Sequence, residues 1–392
     1  MNDSIKNIGT IKQDQKPRSK WKFFAVLFLV LAIGVICLSW YFSQSKNEPS
    51  IPGLARRSGA GINPKSSIIS PTTAPVPTLP PIPSQKILLT DYHIFQTFNN
   101  CGPAALSMAL RFYGINVSQA ELGNALRPYQ VAGGDNDDKS VTLEELAEKS
   151  KEYGFIPYHR PMGNPEIVKQ FIANDMPVIT RTLTKPNEDI GHYRVVKGYD
   201  EATGTFIQDD SLQNKNLEYS YEEFNEIWKK FNYEYLVLAP KEKQEIAEKI
   251  LGKNKDAKTA WQSAVGNSEN ELANNPNDIY ARFNLSVAYY NVGNYEGSTR
   301  EFERVEGLLP FRTLWYQIEP IQAYYELGNY DRVFAITDKI LNNYNRAFSE
   351  LYILRGKIYQ NQGDIDAARA EYEKAVFYNS SLKEARSLLS AI

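Results

Sequence analysis

Cys101 is the residue of this sequence with the clearest capacity for nucleophilic chemistry. It stands at the start of an apolar run that ends at Gly114 and is typical of a buried helix. The uncapped N–H groups and the dipole at a helix start favour a negatively charged sulfur. Because a thiolate is the form of cysteine that attacks a carbonyl carbon, this position predicts a nucleophile rather than an inert core residue.

A nucleophilic cysteine needs a base. The histidines of the chain are His93, His159 and His192. His192 begins a strand-like run, and a turn at Gly204 leads into a second such run. A hairpin of these strands would bring a carboxylate of the second next to His192, where it could fix the imidazole tautomer. Asp209 and Asp210 point to opposite faces of a strand, so only one can serve; the hairpin register leaves the choice open.

Gln96, shortly before Cys101, is a candidate for stabilising a transition state. Its amide, together with the backbone N–H of Cys101, could form an oxyanion hole. Gly102 leaves the backbone beside the sulfur uncovered. Taken singly, a buried cysteine, a solvated glutamine or a surface histidine would be ordinary features. The order glutamine, helix-starting cysteine, strand histidine and next-strand aspartate favours catalysis.

The elements that would position these residues follow an α+β order, with helices before an antiparallel sheet. Helix starts are indicated by polar capping residues, namely Ser118, Thr142, Asn164 with Pro165, and Ser220. Strands are indicated at Pro177–Leu183, His192–Tyr199, Thr205–Asp209 and Tyr233–Leu238. The run from Glu222 to Phe231 predicts a helix whose aromatic face packs in the core.

The residues from Gln96 to Ala104, the strand Met176-Pro-Val-Ile179, the run from Gly191 to Tyr199 and the later Asp209 resemble the C39-like family of papain-fold cysteine peptidases. The resemblance covers about residues 86–240. It implies Cys101 as nucleophile, His192 as base, Asp209 as the residue that orients it and Gln96 as oxyanion donor. Asp209 is preferred because the family's acid ends its strand before a proline, and Asp210 stands where that proline would be. The transporter-linked, double-glycine specificity of the best-known members is not carried over.

The first 85 residues predict a membrane anchor and a spacer. Residues 1–22 form a basic tail, residues 23–42 are an uncharged apolar stretch long enough for a transmembrane helix, and residues 43–85 are a proline-rich linker. The excess of lysine and arginine before the span places the N-terminus in the cytoplasm and the rest outside. A cleaved signal peptide is disfavoured, because the apolar stretch is too long.

The C-terminal third predicts an all-α solenoid. Residues 241–258 are a charged linker or a degenerate first helix pair, and residues 259–392 resemble tetratricopeptide repeats, in which Gly293, Gly328 and Gly363 recur at the spacing of that family. Pro320 should kink or shorten a helix of the second unit. Such a solenoid offers a groove for a protein partner; the alternative is a spacer that packs against the catalytic domain.

Composition excludes several function classes. A net charge of −2 argues against nucleic-acid binding, and two cysteines, Cys37 and Cys101, cannot form a disulfide framework. The acidic run from Gly133 to Asp138 misses the spacing of a calcium loop and is expected to be a solvated loop. We expect no cofactor and no metal.

These features together predict a membrane-anchored cysteine peptidase that cleaves a peptide or protein outside the cytoplasmic membrane. One alternative keeps the fold without the chemistry, as a scaffold that binds envelope proteins. Another is acyl or peptidyl transfer, because an amine can take the thioester in place of water. A Cys-His-His endopeptidase is disfavoured, since its third polar residue would be histidine.

Overall fold

The structure, a computed structural model, describes residues 79, 81–131, 133–135, 141–343 and 345–392. The predicted basic tail, the apolar stretch at 23–42, Cys37 and most of the proline-rich linker lie outside the described residues. In the part that is described, no helix is both long enough and apolar enough to cross a membrane. All of the described residues belong to one unit, residues 74–392.

An antiparallel sheet organises the first region of this unit. Its strands are β1 (Gln85–Ile87), β2 (Ile156–Arg160), β3 (Val178–Leu183), β4 (Gly191–Asp200), β5 (Thr205–Asp210), β6 (Leu217–Ser220) and β7 (Tyr235–Ala239). Their order in the sheet is β2-β7-β3-β4-β5-β6, and β1 pairs with the far end of β4. The four predicted strands are confirmed.

Helices cover both faces of the sheet. They are α1 (Cys101–Phe112), α2 (Gln119–Leu126), α3 (Leu143–Lys151), α4 (Pro165–Ala173), α5 (Tyr221–Trp228) and α6 (Gln244–Leu251). Side chains of α1, α2 and α3 pack with Ile179 and Val195 on one face. Side chains of α4, α5 and α6 pack with Val178 and Val196 on the other. The alternation of β3 and β4 residues between two apolar layers explains why both strands are buried.

The predicted helix starts are confirmed by their capping contacts. Ser118 Oγ accepts a hydrogen bond from the backbone N–H of Glu121, and Asn164 caps α4 in the same way, with Pro165 in its first turn. Thr142 and Ser220 each form a reciprocal capping box with a glutamate three residues on. The aromatic face of α5 lies in the core, as expected.

The second region is helical. Its helices are α7 (Ala257–Asn274), α8 (Ile279–Asn291), α9 (Tyr295–Glu303), α10 (Thr313–Tyr316), α11 (Glu319–Glu326), α12 (Tyr330–Leu341), α13 (Ser349–Gln362), α14 (Ile365–Tyr378) and α15 (Lys383–Ser390). Gly293, Gly328 and Gly363 have φ values of +85°, +70° and +83° and connect paired helices. Pro320 lies in the first turn of α11, which has 8 residues where α13 has 14, so the predicted shortening is found.

The charge-rich segment 241–258 is not an extended linker. Its central part, Gln244–Leu251, forms α6, which packs against α4. Ala247 and Leu251 are buried in the core of the first region. The charged residues within α6 are therefore the outer face of an amphipathic helix.

The two regions are linked by the ion pairs of one buried arginine. Arg127, at the end of α2, places Nη2 2.6 Å from Glu145 Oε2 of α3 and 2.7 Å from Glu350 Oε1 of α13. Burial lowers the pKa of Arg127, but the two carboxylates outweigh it and raise the pKa above its ordinary value. One buried cation thus links α2, α3 and a helix of the second region.

Candidate active site

Cys101 is the first residue of α1 and is buried. Asn100 precedes it, but its side-chain amide donates to Thr97 Oγ1 at 2.8 Å and does not cap the helix. The first turn of α1 contains no acidic residue. The N–H groups of this turn and the helix dipole are therefore available to a negative charge at the sulfur.

His192 is the second residue of β4 and lies directly opposite Thr182 of β3. Its ring is buried, and Nε2 lies 2.8 Å from Oδ1 of Asp210. Since an ionised carboxylate only accepts hydrogen bonds, Nε2 is the protonated nitrogen. The other nitrogen, Nδ1, is therefore the one that can take a proton from a thiol.

The carboxylate beside His192 belongs to Asp210 and not to Asp209, so the expected contact between His192 and Asp209 is wrong. In the observed register Arg194 faces Asp210, and Val195 faces Asp209. Residues two apart share a face of a strand, so Asp210 shares the face of His192 and Arg194. Asp209 points to the opposite face, where its Oδ1 lies 2.8 Å from Nζ of Lys197.

Asp210 is held as an anion by several donors. Besides His192, the backbone N–H groups of Leu212 and Gln213 donate to Oδ1 at 2.7 and 2.9 Å. Arg194, which is fully buried, places Nε 3.2 Å from Oδ2. Burial raises the pKa of Asp210, but the hydrogen bond from His192 and the charges of His192 and Arg194 outweigh it and lower the pKa to about 2. This carboxylate is therefore ionised at any ordinary pH.

Gln96 lies beside the end of β5. Its backbone N–H donates to the carbonyl of Ser211 at 2.8 Å, and Ser211 Oγ donates to Gln96 Oε1 at 3.0 Å. The carbonyl end of the amide is thus occupied, which leaves the Nε2 hydrogens as the donors that an oxyanion would need. The structure therefore gives Gln96 an orientation compatible with the predicted role.

Two residues of the site were missed by the sequence reasoning. His93 Nε2 lies 2.9 Å from the backbone carbonyl of Asp210; because a carbonyl only accepts, Nε2 is again the protonated nitrogen. Ser211 anchors Gln96. Both residues could have been found from their positions in the sequence, because His93 lies just before Gln96 and Ser211 directly follows Asp210.

The packing of α1 against β4 brings the cysteine and histidine segments together. A methyl group on Gly102 would lie 2.3 Å from Val141 Cγ2 and 3.4 Å from the ring of Tyr193. The Tyr193 hydroxyl donates to the carbonyl of Val141 at 2.6 Å. Cys101 precedes Gly102 and His192 precedes Tyr193, so the nucleophile and the base each adjoin a residue of this tight contact.

A cavity of about 880 Å³ lies between the two regions, and Cys101, His192 and Asp210 are not among its lining residues. His159 lines it and places Nδ1 3.1 Å from Glu144 Oε2 and Nε2 3.1 Å from Glu234 Oε2. Burial lowers the pKa of His159, but the two carboxylates raise it to about 9. Within the described ranges, no group of three or more His, Cys, Asp and Glu side chains could hold a metal ion.

Comparison with known families gives a match within each region. Residues 84–236 match the Peptidase_C39 like family, and residues 349–380 match the tetratricopeptide repeat. The chain carries a C39-like peptidase domain and a tetratricopeptide repeat. The domain contains Gln96, Cys101, His192 and Asp210, and the matched repeat corresponds to α13, α14 and the turn at Gly363.

Solved structures that are similar to parts of this chain have low sequence identity to it. A C39-like peptidase from Bacillus anthracis has 18% identity and a TM-score of 0.35, with 40% of this chain and 98% of that one covered. The peptidase domain of Streptococcus ComA, a bifunctional ABC transporter of a quorum-sensing pathway, has 23% identity and a TM-score of 0.31, with the same coverage. A tetratricopeptide repeat protein from Parabacteroides merdae has 22% identity and a TM-score of 0.29, with 37% and 54% covered. A search of curated proteins found no match.

Proposed function

We propose that this protein is a cysteine peptidase that cleaves a peptide or protein substrate through Cys101. The observation that carries the proposal is the buried pair of His192 and Asp210, with Nε2 and Oδ1 2.8 Å apart, next to the segment that starts α1 with a cysteine. Asp210 fixes the ring so that Nδ1 is the basic nitrogen. The uncapped start of α1 favours the thiolate that results.

The reaction follows from these roles. The thiolate of Cys101 attacks the carbonyl carbon, and the electron pair of the carbonyl bond moves to oxygen, where Gln96 Nε2 and backbone N–H donors stabilise it. The tetrahedral intermediate collapses, the C–N bond breaks, and the His192 imidazolium gives its proton to the leaving amine. Water then loses a proton to His192 and attacks the thioester. The C–S bond breaks, and the acid product leaves.

We propose that this activity acts outside the cytoplasmic membrane. The support is sequence alone: the apolar stretch at 23–42, the basic residues before it and the proline-rich linker after it. The repeats are proposed to bind a protein partner or the substrate. The matched tetratricopeptide repeat at residues 349–380 supports this role.

The test uses the full-length protein in detergent with Cys37→Ser, so that Cys101 is the remaining thiol. Under reducing conditions, the protein is incubated with a mixed peptide library and products are read by mass spectrometry. We expect cleavage, and labelling of Cys101 by a cysteine-directed peptide probe; both should disappear in Cys101→Ala. A protein that shows neither would instead support the scaffold. New amide products in the presence of added amines would indicate transfer.

A further inference from the structure

The helical region makes a close contact with the backbone immediately before the proposed base. The ring of Tyr316, in α10, lies against Gly191: a methyl group at Gly191 would be 3.1 Å from ring Cε1 and 3.2 Å from Cδ1 and Cζ. Tyr316 is buried and packs with Leu183, which faces Gly191 across the β3–β4 ladder, and with Phe231. The aromatic face thus covers the start of β4, one residue from His192.

A second contact reaches the other strand of the same hairpin. Arg181 of β3 donates from Nη2 to the backbone carbonyl of Tyr316 at 2.6 Å. Arg181 is buried and lies directly opposite Tyr193 in the register. Burial lowers the pKa of Arg181, but neighbouring groups, Tyr193 and Glu234 among them, outweigh it and raise the pKa. The guanidinium therefore stays charged while it binds α10.

A third contact holds the turn between the two strands. Arg312 places Nη1 2.9 Å from Oδ1 of Asp189, and the turn closes through a hydrogen bond from the backbone N–H of Thr184 to the carbonyl of Ile190. The segment 312–316 therefore touches β3, the turn and β4. It contacts the hairpin at the end where His192 lies.

We propose that Tyr316 is a positioning residue for catalysis, through which the helical region fixes the hairpin that presents His192 to Cys101. The proposal rests on the proposed function. A base displaced by about 1 Å can lower a rate by about 10²-fold, and the start of β4 is a strand end next to a turn. The ring of Tyr316 against Gly191 opposes that displacement. On this basis the helical region completes the peptidase site in addition to binding a partner.

The test measures the pH dependence of alkylation of Cys101 by iodoacetamide in the full chain with Cys37→Ser, so no substrate needs to be known. In the wild type we expect reactive thiolate well below pH 8, and this low-pH reactivity should disappear in His192→Ala. Tyr316→Ala should reduce alkylation near pH 6 by about tenfold or more and shift the profile towards that of an ordinary thiol, with a pKa of about 8.5. Tyr324→Ala, which removes another buried tyrosine of the helical region, should retain the wild-type profile.

A coupled variant separates positioning from general destabilisation. Gly191→Ala should reproduce the effect of Tyr316→Ala, because its methyl group meets the ring, and should add little when the ring is already removed. All profiles are taken below the unfolding temperature of each variant; Tyr316→Leu replaces Tyr316→Ala if the latter does not fold. A wild-type profile in Tyr316→Ala or Tyr316→Leu would overturn this proposal alone. A wild-type protein whose profile does not respond to His192→Ala would overturn the proposed function as well.

Discussion

At the scale of single residues, two adjacent aspartates have opposite surroundings. Asp210 Oδ1 receives His192 Nε2 and two backbone N–H groups, whereas Asp209 is paired with the buried Lys197 and the N–H of Asn216. Both carboxylates are buried beside a buried cation. They differ in that only Asp210 contacts the proposed base, so a substitution of Asp209 is a matched control for the same substitution of Asp210.

We expect Asp210→Ala to lower peptide cleavage by roughly 10²-fold, because the ring of His192 loses the acceptor that fixes its tautomer. Asp209→Ala leaves a buried lysine unpaired, just as Asp210→Ala leaves a buried arginine unpaired, so both variants should have a lower unfolding temperature than the wild type. Asp209→Ala should nevertheless retain cleavage at temperatures where the protein is folded. Steady-state cleavage together with thermal unfolding of both variants checks this. Equal loss of activity in the two would contradict the assignment of Asp210.

The choice between these aspartates shows where sequence reasoning stops at this scale. Cys101, His192 and Gln96 each adjoin a recognisable feature: a helix start, a strand start and the segment before the helix. The side of the hairpin on which an aspartate lies depends on a register shift between Val196 and Gly198. A shift of one residue exchanges the two faces of a strand, and the residues of the turn do not predict this shift.

At the scale of elements, the strands found from sequence are mostly buried, and the missed strands are partly exposed. β3, β4 and β7 are buried runs at the centre of the sheet. β2 contains Pro157 and lies at an edge, where a missing N–H is tolerated; β6, at the opposite edge, is partly exposed. β1 has only 3 residues. Edge and short strands need less apolar surface, so their residues carry a weaker pattern.

The edge strand β2 carries a titratable bridge that should make stability depend on pH. His159 has a pKa of about 9 in the fold, above its ordinary unfolded value of about 6.5. The contribution of His159 to the free energy of unfolding is therefore fully present below pH 6.5 and is lost as the pH rises through about 9. We expect His159→Gln to lower the free energy of unfolding by about 2 kcal/mol near pH 6 and by much less at pH 10. Denaturant unfolding at the two pH values measures this; an equal effect at both would contradict the bridge.

At the scale of the whole molecule, the two regions share contacts between residues that are far apart in the sequence. The ion pairs of the buried Arg127 with Glu145 and Glu350 link α2, α3 and α13 in this way. The sequence predicted two folding units with a linker between them. Contacts between distant parts of a chain leave no local pattern, so the pairing of Arg127 with a residue more than two hundred positions later could not be read from sequence.

Replacing this cation tests how far the regions depend on one another. Arg127→Met leaves two half-buried carboxylates beside each other without the buried cation that pairs with both, and we expect a loss of about 3 kcal/mol in the free energy of unfolding, with an unfolding temperature lower by several degrees. Arg332→Met removes the partly exposed ion pair with Glu306 and should cost about 1 kcal/mol or less. Calorimetry of both variants gives the comparison, and equal effects would show that Arg127 adds nothing beyond a surface pair.

The packing of α6 beneath α4 has a consequence for recombination between genes. From the sequence, the charged segment after Pro240 resembles a linker at which recombination could separate the two regions. However, Ala247 and Leu251 are core residues of the first region, and Arg160 of β2 donates to the carbonyls of Asn254 and Lys255. A crossover at 240 would transfer the peptidase domain without part of its own interior. A breakpoint that keeps this part of the interior with its own domain lies at about residue 255 or later, beyond the end of the family match at residue 236.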